Sequence, residues 1–186
     1  TTGSGKTEVF LQVAENILKK GKGIIYLVPE IGLTPQVIEA VTIRFGSTVA
    51  VLHSGLTPSQ KLSEWNRILR KEARIVIGAR SAIFAPLENI GIIIIDEEHS
   101  STYKQDHNPR YNAIDVAIKR GKNHNAKVIL GSATPSIETY ARAKKGYYEL
   151  VELNKRANNA KLPSVSIIDM KDEIKKGNKV ISEELD

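Results

Sequence analysis

The chain opens with residues suited to holding the phosphates of a nucleotide. Residues 1–7, TTGSGKT, match the last seven positions of the pattern G-x-x-x-x-G-K-[ST]. The glycines allow backbone conformations that point successive N–H groups into one concavity. Lys6 would bring a positive charge to the β- and γ-phosphates, and the Thr7 hydroxyl would ligate Mg²⁺. We therefore predict a nucleotide-binding loop; the alternative is a turn that happens to precede Lys-Thr. The predicted loop residues are Gly3, Ser4, Gly5, Lys6 and Thr7.

A second candidate for chemistry is the acidic sequence IIIIDEEH at residues 92–99. Carboxylates that follow a strand of a parallel sheet lie at its carboxyl edge, which also receives the phosphate loop. Asp96 would hold Mg²⁺, directly or through water, and Glu97 would orient the water that attacks the γ-phosphate. With Lys6, these two are the predicted catalytic residues. The competing interpretation is an acidic cap on an ordinary strand.

Coupling residues are predicted in the sequence GSATPS at 131–136, which follows an apolar run and precedes a helical pattern. Ser132 and Thr134 would form hydrogen bonds across the crevice to the acidic sequence. The alternative is a helix cap, for which Ser and Thr are well suited. His99 would sense the γ-phosphate, contact this motif, or be a simple loop histidine.

Three segments are predicted to contact a nucleic-acid backbone. Residues 28–36 and 77–81 offer N–H groups, hydroxyls, an amide and a guanidinium that bind phosphate without reading sequence, although each could be an ordinary loop. Residues 103–111, YKQDHNPRY, combine rings that can stack on bases with cations, around a turn at Asn108-Pro109. Ordering of this loop on DNA would shift Glu97; the alternative is a surface loop with packed tyrosines. The predicted contacts are Pro29, Thr34, Gln36, Gly78, Arg80, Ser81, Tyr103, Lys104, Arg110 and Tyr111.

These segments need a scaffold, and the apolar pattern supplies one. Continuous Ile- and Val-rich runs predict strands that are buried on both faces of a parallel sheet, at residues 24–28, 49–52, 74–77, 91–95 and 127–130. Helical spacing alternates with them, at 6–20, 34–44, 58–70, 112–120 and 135–145. This alternation predicts an α/β fold, a mostly parallel sheet covered by helices on both faces. Leu62, Trp65 and Leu69 are expected to pack in its core.

The domain organisation changes near the end of the chain. A last strand is predicted at residues 147–153, and the polar sequence NKRANNAK follows as a linker. A further strand is expected at 165–168. We assign residues 1–155 to one domain, truncated at its N-terminal strand because the first Gly of the phosphate loop is missing. Residues 156–186 are the linker and the start of a second unit.

The composition excludes several classes of protein. Among 186 residues, 41% are hydrophobic and 26% charged, as in ordinary globular domains. The net charge of +6 suits a phosphate-bearing partner, but a generic basic surface explains it equally well. The longest apolar run, at 90–95, is too short to cross a bilayer, so no membrane partner is expected. The chain has no cysteine, which excludes disulfides and thiolate metal sites within it and fits a cytoplasmic location.

The motifs occur together in an order that resembles superfamily-2 helicases and, in detail, the primosomal protein N′ (PriA) family with its DEEH box. The sequences that carry this resemblance are GSGKT, VPEIGLTPQ, HSGL, IVIGARSAIFAP, IIIIDEEHSSTYKQ, PRYNAIDVAI and GSATPS. The resemblance implies a RecA-like P-loop NTPase lobe, the first of two motor lobes of an ATP-dependent 3′-to-5′ DNA helicase that acts in replication restart. The second unit, from residue 156, would then be the start of the second lobe.

The resemblance also implies cofactors, partners and residue roles. ATP and Mg²⁺ are the implied cofactors; single-stranded and forked DNA, other primosome proteins and single-strand-binding protein are the implied partners. Lys6, Thr7, Asp96 and Glu97 carry over as the hydrolytic set, and Ser132 with Thr134 as coupling residues. The second lobe's arginine finger and a cysteine-rich zinc module are expected outside this fragment, which should therefore be nearly inactive alone.

Three other functions stay open at the level of sequence. A nucleotide-switched nucleic-acid-binding module would do no mechanical work, and Glu97 argues against it because a switch needs no water-polarising carboxylate. A RecG-like branch-migration enzyme has a different box and lacks the GARSAIFAP run. An RNA helicase differs in its substrate, and the choice of DNA rests on the resemblance alone.

Overall fold

The computed structural model describes residues 5–154 together with residues 168 and 171. In this part of the chain, five parallel strands form the central sheet, each within a residue of its predicted position. They are β1 (Gly23–Leu27), β2 (Val49–Leu52), β3 (Ile75–Gly78), β4 (Ile90–Ile95) and β7 (Lys127–Leu130). Their spatial order is β2-β3-β1-β4-β7, so the strand that ends in the acidic sequence lies near the centre, between β1 and β7.

Helices alternate with the strands, as the sequence predicts. They are α1 (Lys6–Lys19), α2 (Pro35–Phe45), α3 (Pro58–Leu69), α4 (Ala113–His124) and α5 (Ile137–Lys144). Side chains fix where four of them begin: Thr34, Thr57, Asn112 and Ser136 each accept a hydrogen bond from a backbone N–H of the first turn. α4 ends at Asn125, which adopts the left-handed conformation that asparagine tolerates well.

The core lies on both faces of the sheet because successive residues of each strand point in opposite directions. Ile25 and Ile93 pack on one face in a cluster that contains Ile68 of α3 and Ala117 of α4. On the other face, a cluster built on the alternate strand residues includes side chains of α1 and α2: Phe10, Val41, Ile24, Tyr26, Ile92 and Ile94. The predicted α/β class, with helices on both faces of a parallel sheet, is confirmed.

A small antiparallel hairpin follows the acidic sequence and was not predicted as strand. β5 (Lys104–Gln105) pairs with β6 (Tyr111–Asn112), with Lys104 opposite Asn112. The Gln105 side-chain amide donates to the Pro109 carbonyl at 2.8 Å. The loop predicted at residues 103–111 is therefore a hydrogen-bonded hairpin.

Two predictions about the fold are wrong. Residues 147–153 contain no strand; the chain there runs through a bend into irregular backbone after α5. The stripe on α3 is not core, since Trp65 is 38% exposed and Leu62 is 61% exposed. α3 instead turns Ile68 inward, and Glu64 accepts a hydrogen bond from the Val51 N–H of the edge strand β2 at 3.1 Å.

The predicted linker and the strand expected at 165–168 lie almost wholly outside the described residues, so the domain boundary stays a prediction. Of that strand, residue 168 is described and is not in a strand. Within the described residues, no helix is both long and apolar enough to cross a membrane.

Candidate active site

The start of α1 has the geometry of a phosphate-binding helix terminus. Gly5 precedes the helix with φ +79°, a left-handed conformation that glycine adopts without strain. No side chain among the described residues caps this terminus, so its first N–H groups are left for another acceptor. Gly3 and Ser4 of the predicted loop lie outside the described residues.

Lys6 joins this helix start to the acidic sequence. Its Nζ lies 2.8 Å from Asp96 Oδ1 and also ion-pairs with the Glu97 carboxylate. Burial lowers the pKa of Lys6, but hydrogen bonds and charges from Asp96 and Glu97 outweigh it and raise the pKa above its ordinary value. Lys6 is therefore positively charged at neutral pH.

Asp96 is held by two buried tyrosines, neither of which the sequence suggested for this role. The Tyr26 hydroxyl donates to Asp96 Oδ2 at 3.3 Å, and the Tyr103 hydroxyl donates to the Asp96 carbonyl at 2.6 Å. Burial is the main reason that the pKa of both tyrosines is raised, with the Asp96 charge adding to it. Both hydroxyls therefore stay protonated and keep donating. Tyr26 could have been suspected from its position in a strand beside the acidic strand.

The residues present fit a bound Mg²⁺. Asp96 and Thr7 both line a cleft of about 610 Å³ at the carboxyl edge of the sheet. A carboxylate and a hydroxyl are hard oxygen ligands, and Mg²⁺ in nucleotide sites takes few protein ligands and completes its shell with water and phosphate. The described residues contain no group of three His, Cys, Asp or Glu side chains that could enclose a metal.

Glu97 lies where it can contact water. Its side chain is 39% exposed, and Oε2 is 3.5 Å from His99 Nδ1. The backbone at Glu97 is left-handed, with φ 47°, which turns the chain sharply after β4. The Glu97 N–H donates to the Asp96 carboxylate at 2.9 Å. The Asp96 carboxylate is thus held against the Glu97 backbone, and Lys6 Nζ contacts both carboxylates at the edge of the cleft.

One of the two predicted coupling residues, Ser132, contacts the acidic sequence, whereas Thr134 bonds to Ser132. His99 Nδ1 is 2.7 Å from Ser132 Oγ, so of the alternatives for His99 the structure contains the contact with the next motif. The Thr134 N–H donates to the same Ser132 oxygen at 3.0 Å, which makes a tight turn. The contact joins the loops that follow two neighbouring strands, β4 and β7. The role of these residues in coupling stays a prediction.

Glu98 forms a second connection that the sequence analysis missed. Its side chain is 2% exposed and accepts hydrogen bonds from the Ser136 N–H at 2.6 Å, the Ser136 hydroxyl at 3.1 Å and the Thr139 hydroxyl at 3.0 Å. These donors lie at the N-terminus of α5, where a carboxylate is favoured. The S-x-x-T spacing at 136–139 is the signal in the sequence that could have found this contact.

The first predicted nucleic-acid segment is only partly available. Gln36 is exposed, and Thr34 accepts a hydrogen bond from the Val37 N–H at 3.4 Å as the cap of α2. Pro29 is buried. It lines the cleft with little exposed surface, and a proline has no backbone N–H to donate to a phosphate, which corrects the prediction for that residue.

The second segment differs more from the prediction. Gly78 is buried, and a Cβ there would collide with the Leu52 carbonyl, so close strand packing requires this glycine. Arg80 Nη1 donates to the carbonyls of Thr102 at 3.1 Å and Lys104 at 2.8 Å. Its guanidinium therefore binds protein backbone in this structure. Ser81 is exposed, as a phosphate contact would require.

The third segment corrects the prediction for Tyr103. That side chain is 1% exposed, so its ring lies in the core and cannot stack on a base. Lys104 and Arg110 are exposed, and both line a polar groove of about 510 Å³ with Tyr111. The Tyr111 ring is half-buried and packs edge-on against Phe84 at 5.0 Å. Stacking by Tyr111 would be limited to its exposed part.

Comparisons with known proteins show the family of this chain. A family model for DEAD/DEAH box helicases matches residues 1–143. Replication restart protein PriA of Bacillus subtilis is 59% identical over 178 residues, covering 96% of this chain and 22% of PriA. The PriA of Treponema pallidum is 51% identical over 172 residues, covering 92% of this chain and 26% of the relative. The chain thus spans about a quarter of the length of these relatives.

Among solved structures, the helicase domain of Pyrococcus furiosus Hef superposes with a TM-score of 0.54 at 19% identity. It covers 81% of this chain, which covers 33% of the Hef domain. At that identity the likeness shows the fold alone, and this fold is the RecA-like one. The match of the family model extends over most of the chain, from the phosphate loop past the acidic sequence, so the chain belongs to the DEAD/DEAH box helicase family.

Proposed function

We propose that the chain is the first ATP-binding lobe of a motor that couples ATP hydrolysis to movement along DNA. The observation that carries this proposal is the pairing of Lys6 with both Asp96 and Glu97. It brings the end of the phosphate loop and the acidic sequence together at one edge of the sheet. Each motif is common alone, but their juxtaposition across a parallel sheet suits phosphoryl transfer.

The chain's own residues have separate tasks in this proposal. Lys6 and the N–H groups at the start of α1 hold the phosphates of ATP. Thr7 and Asp96 hold Mg²⁺, which when bound neutralises the charge that develops on the phosphates. Glu97 orients the attacking water and accepts its proton. His99 contacts Ser132, so a shift at Glu97 reaches the loop after β7.

The substrate and partners are inferred from the family likeness. The relatives are replication restart proteins, which favours single-stranded and forked DNA as the substrate and 3′-to-5′ as the direction of movement. Other primosome proteins and single-strand-binding protein are the proposed protein partners, and the cytoplasm is the proposed location. The net charge of +6 supports a polyanionic partner of either sugar type.

The test measures ATP affinity and ATP turnover in the full-length protein, without nucleic acid, with single-stranded DNA and with single-stranded RNA. Lys6→Ala should weaken ATP binding. Glu97→Gln should keep binding but lower turnover by about 10²–10⁴-fold, the contribution of a general base. Lys19→Ala is the control, because Lys19 lies exposed at the far end of α1 and pairs with Glu15.

The outcomes separate the candidate functions. Equal ATP affinity in the wild type and Lys6→Ala would remove Lys6 from the site. ATP binding without nucleic-acid-stimulated turnover would identify a nucleotide-switched binding module. Stimulation by RNA but not by DNA would identify an RNA motor.

A further inference from the structure

We propose that Arg80 and Tyr103 are positioning residues that transmit DNA binding to Asp96. Arg80 fixes the backbone on both sides of Tyr103, and Tyr103 fixes the backbone of Asp96. This inference rests on the proposed function, because it assigns the route by which DNA stimulates hydrolysis. Neither side chain touches the reacting atoms, so neither is a catalytic residue.

The first step of the route is the contact of Arg80 with the chain after the acidic sequence. One guanidinium nitrogen, Nη1, bridges the carbonyls of Thr102 and Lys104, the residues immediately before and after Tyr103. Hydrogen bonds from a charged donor are stronger than neutral ones. The position of the Tyr103 backbone therefore depends on where Arg80 lies.

The second step is the hydrogen bond from Tyr103 to Asp96. The Tyr103 hydroxyl donates to the Asp96 carbonyl at 2.6 Å, and the Asp96 N–H donates to the Leu27 carbonyl at 2.9 Å. Both polar groups of the Asp96 backbone are thus fixed. Because the Tyr103 ring is enclosed in the close-packed core, a shift of its backbone passes to its hydroxyl instead of being absorbed by a loose ring.

The third step is the position of Arg80, which is half-buried at the carboxyl edge of the sheet. Arg80 follows β3 at the carboxyl edge of the sheet, beside the exposed Ser81, and its guanidinium lies 5.7 Å from the centre of the Tyr111 ring. The two carbonyls use only Nη1, so a DNA phosphate that binds the other N–H groups of the guanidinium would draw the side chain away from them, since Arg binds phosphate strongly. Two alternative acceptors for one side chain make a two-state element that DNA can bias.

Arg120 restricts which segments can move when DNA binds at Arg80. Its guanidinium is half-buried and donates to the carbonyls of Ala85 at 3.1 Å and Leu87 at 3.3 Å, and also to the Ile83 carbonyl. The segment just after Arg80 is therefore anchored to α4. Movement caused at Arg80 is directed towards residues 102–104 and on to Asp96.

The experiment uses Arg80→Lys and Tyr103→Phe in the full-length protein, singly and together. Lys keeps the charge for a phosphate, but its side chain is one bond shorter, so its nitrogen does not reach the position from which Nη1 donates to both carbonyls. Phe keeps the buried ring and removes only the hydroxyl. The matched control pair is Arg142→Lys and Tyr148→Phe, another Arg–Tyr pair of this lobe, joined by a 3.2 Å hydrogen bond on the surface.

The measured quantity is the stimulation ratio, the ATP turnover with saturating single-stranded DNA divided by the turnover without it. Each single variant should lower this ratio about three- to tenfold, the effect of losing the hydrogen bonds that its side chain makes in the route. The double variant should lower it no further than the more severe single variant, because both changes interrupt one route. Arg80→Lys should bind single-stranded DNA within about twofold of the wild type, since phosphate contacts depend mainly on charge.

Several results would overturn the proposal. If either single variant has the stimulation ratio of the wild type, the residue changed in it does not transmit DNA binding to Asp96. If Tyr103→Phe does not fold, the result for Arg80→Lys alone tests the proposal. Strictly additive effects would mean two separate roles. Loss of DNA affinity in Arg80→Lys with a normal ratio at saturation would make Arg80 a simple phosphate contact. A wild-type protein that DNA does not stimulate would overturn the proposed function together with this route.

Discussion

Replacing Glu98 with glutamine should destabilise the lobe, although Glu98 contacts no reacting group. The buried Glu98 carboxylate accepts three hydrogen bonds, from the Ser136 N–H and from the Ser136 and Thr139 hydroxyls. A glutamine can keep its oxygen towards the Ser136 N–H. Its NH₂ group then faces the two hydroxyls, which must rotate to become acceptors.

The size of the effect follows from these three bonds. Hydrogen bonds to charged groups contribute about 1.5–3 kcal/mol, and neutral ones about 0.5–1.5 kcal/mol. Glu98→Gln removes the negative charge, while its three hydrogen bonds partly re-form, so the substitution should lower the free energy of unfolding by about 2 kcal/mol. For a chain of this length that corresponds to a fall in Tm of about 4–8 °C. Glu98→Ala, which leaves all three donors without their acceptor, should cost about 3–5 kcal/mol.

The assay is thermal and guanidinium unfolding of the chain, followed by circular dichroism. Glu138→Gln is the matched control, because Glu138 lies exposed in the first turn of the same helix and should contribute only about 0.3–1 kcal/mol through the helix dipole. If Glu98→Gln and Glu138→Gln unfold at the same denaturant concentration, the buried hydrogen bonds add no net stability and this reasoning fails.

Three further predictions concern pH, turnover and the hairpin. Burial raises the pKa of Tyr26 and Tyr103 above the ordinary value of 10.0. Their contribution to stability is therefore complete below about pH 10 and is lost as the pH rises further, by about 1.4 kcal/mol per pH unit for each tyrosine. In guanidinium unfolding between about pH 8 and 11.5, the free energy of unfolding should fall less steeply with pH in Tyr103→Phe than in the wild type. The lobe alone should hydrolyse ATP about 10³–10⁵-fold more slowly than a complete motor, because a facing lobe supplies transition-state charge; rapid phosphate release by the lobe, abolished in Glu97→Gln, would contradict this. Replacing Arg110 and Tyr111 with alanine in the full-length protein should leave ATP affinity near normal and abolish the stimulation of ATP turnover by DNA. If DNA still stimulates turnover in this variant, the hairpin has only a structural role.

The central sheet and the proximity of Lys6 to Asp96 could be predicted because local sequence determines both. Short Ile- and Val-rich runs bounded by polar or turn residues indicate parallel strands, and all five runs are strands, although β7 at the edge of the sheet is partly exposed. The carboxyl ends of parallel strands share one edge, so the proximity of Lys6 to Asp96 follows from topology alone. The pairing distance of 2.8 Å agrees with that argument.

The errors arose where distant contacts decide the environment of a residue. Tyr103 stands among charged residues in the sequence, yet the 3₁₀ turn Ser101–Tyr103 directs its ring inward under the acidic strand. The partners of Glu98 lie 38 and 41 residues further along the chain, beyond any local pattern. On α3, periodicity identified an apolar face, but the buried face is the one that carries Ile68.

The left-handed backbone at Glu97 has a consequence for directed evolution of this lobe. A residue with a Cβ is strained by about 1–2 kcal/mol in that conformation, and glycine is not. The half-exposed ion pair of Glu97 with Lys6 offsets only about 0–1 kcal/mol of that strain. A library selected for heat resistance alone should therefore enrich glycine at position 97, and its survivors would outlast the parent at high temperature while lacking the carboxylate proposed to activate water. Selections on this scaffold need to score turnover and heat resistance together.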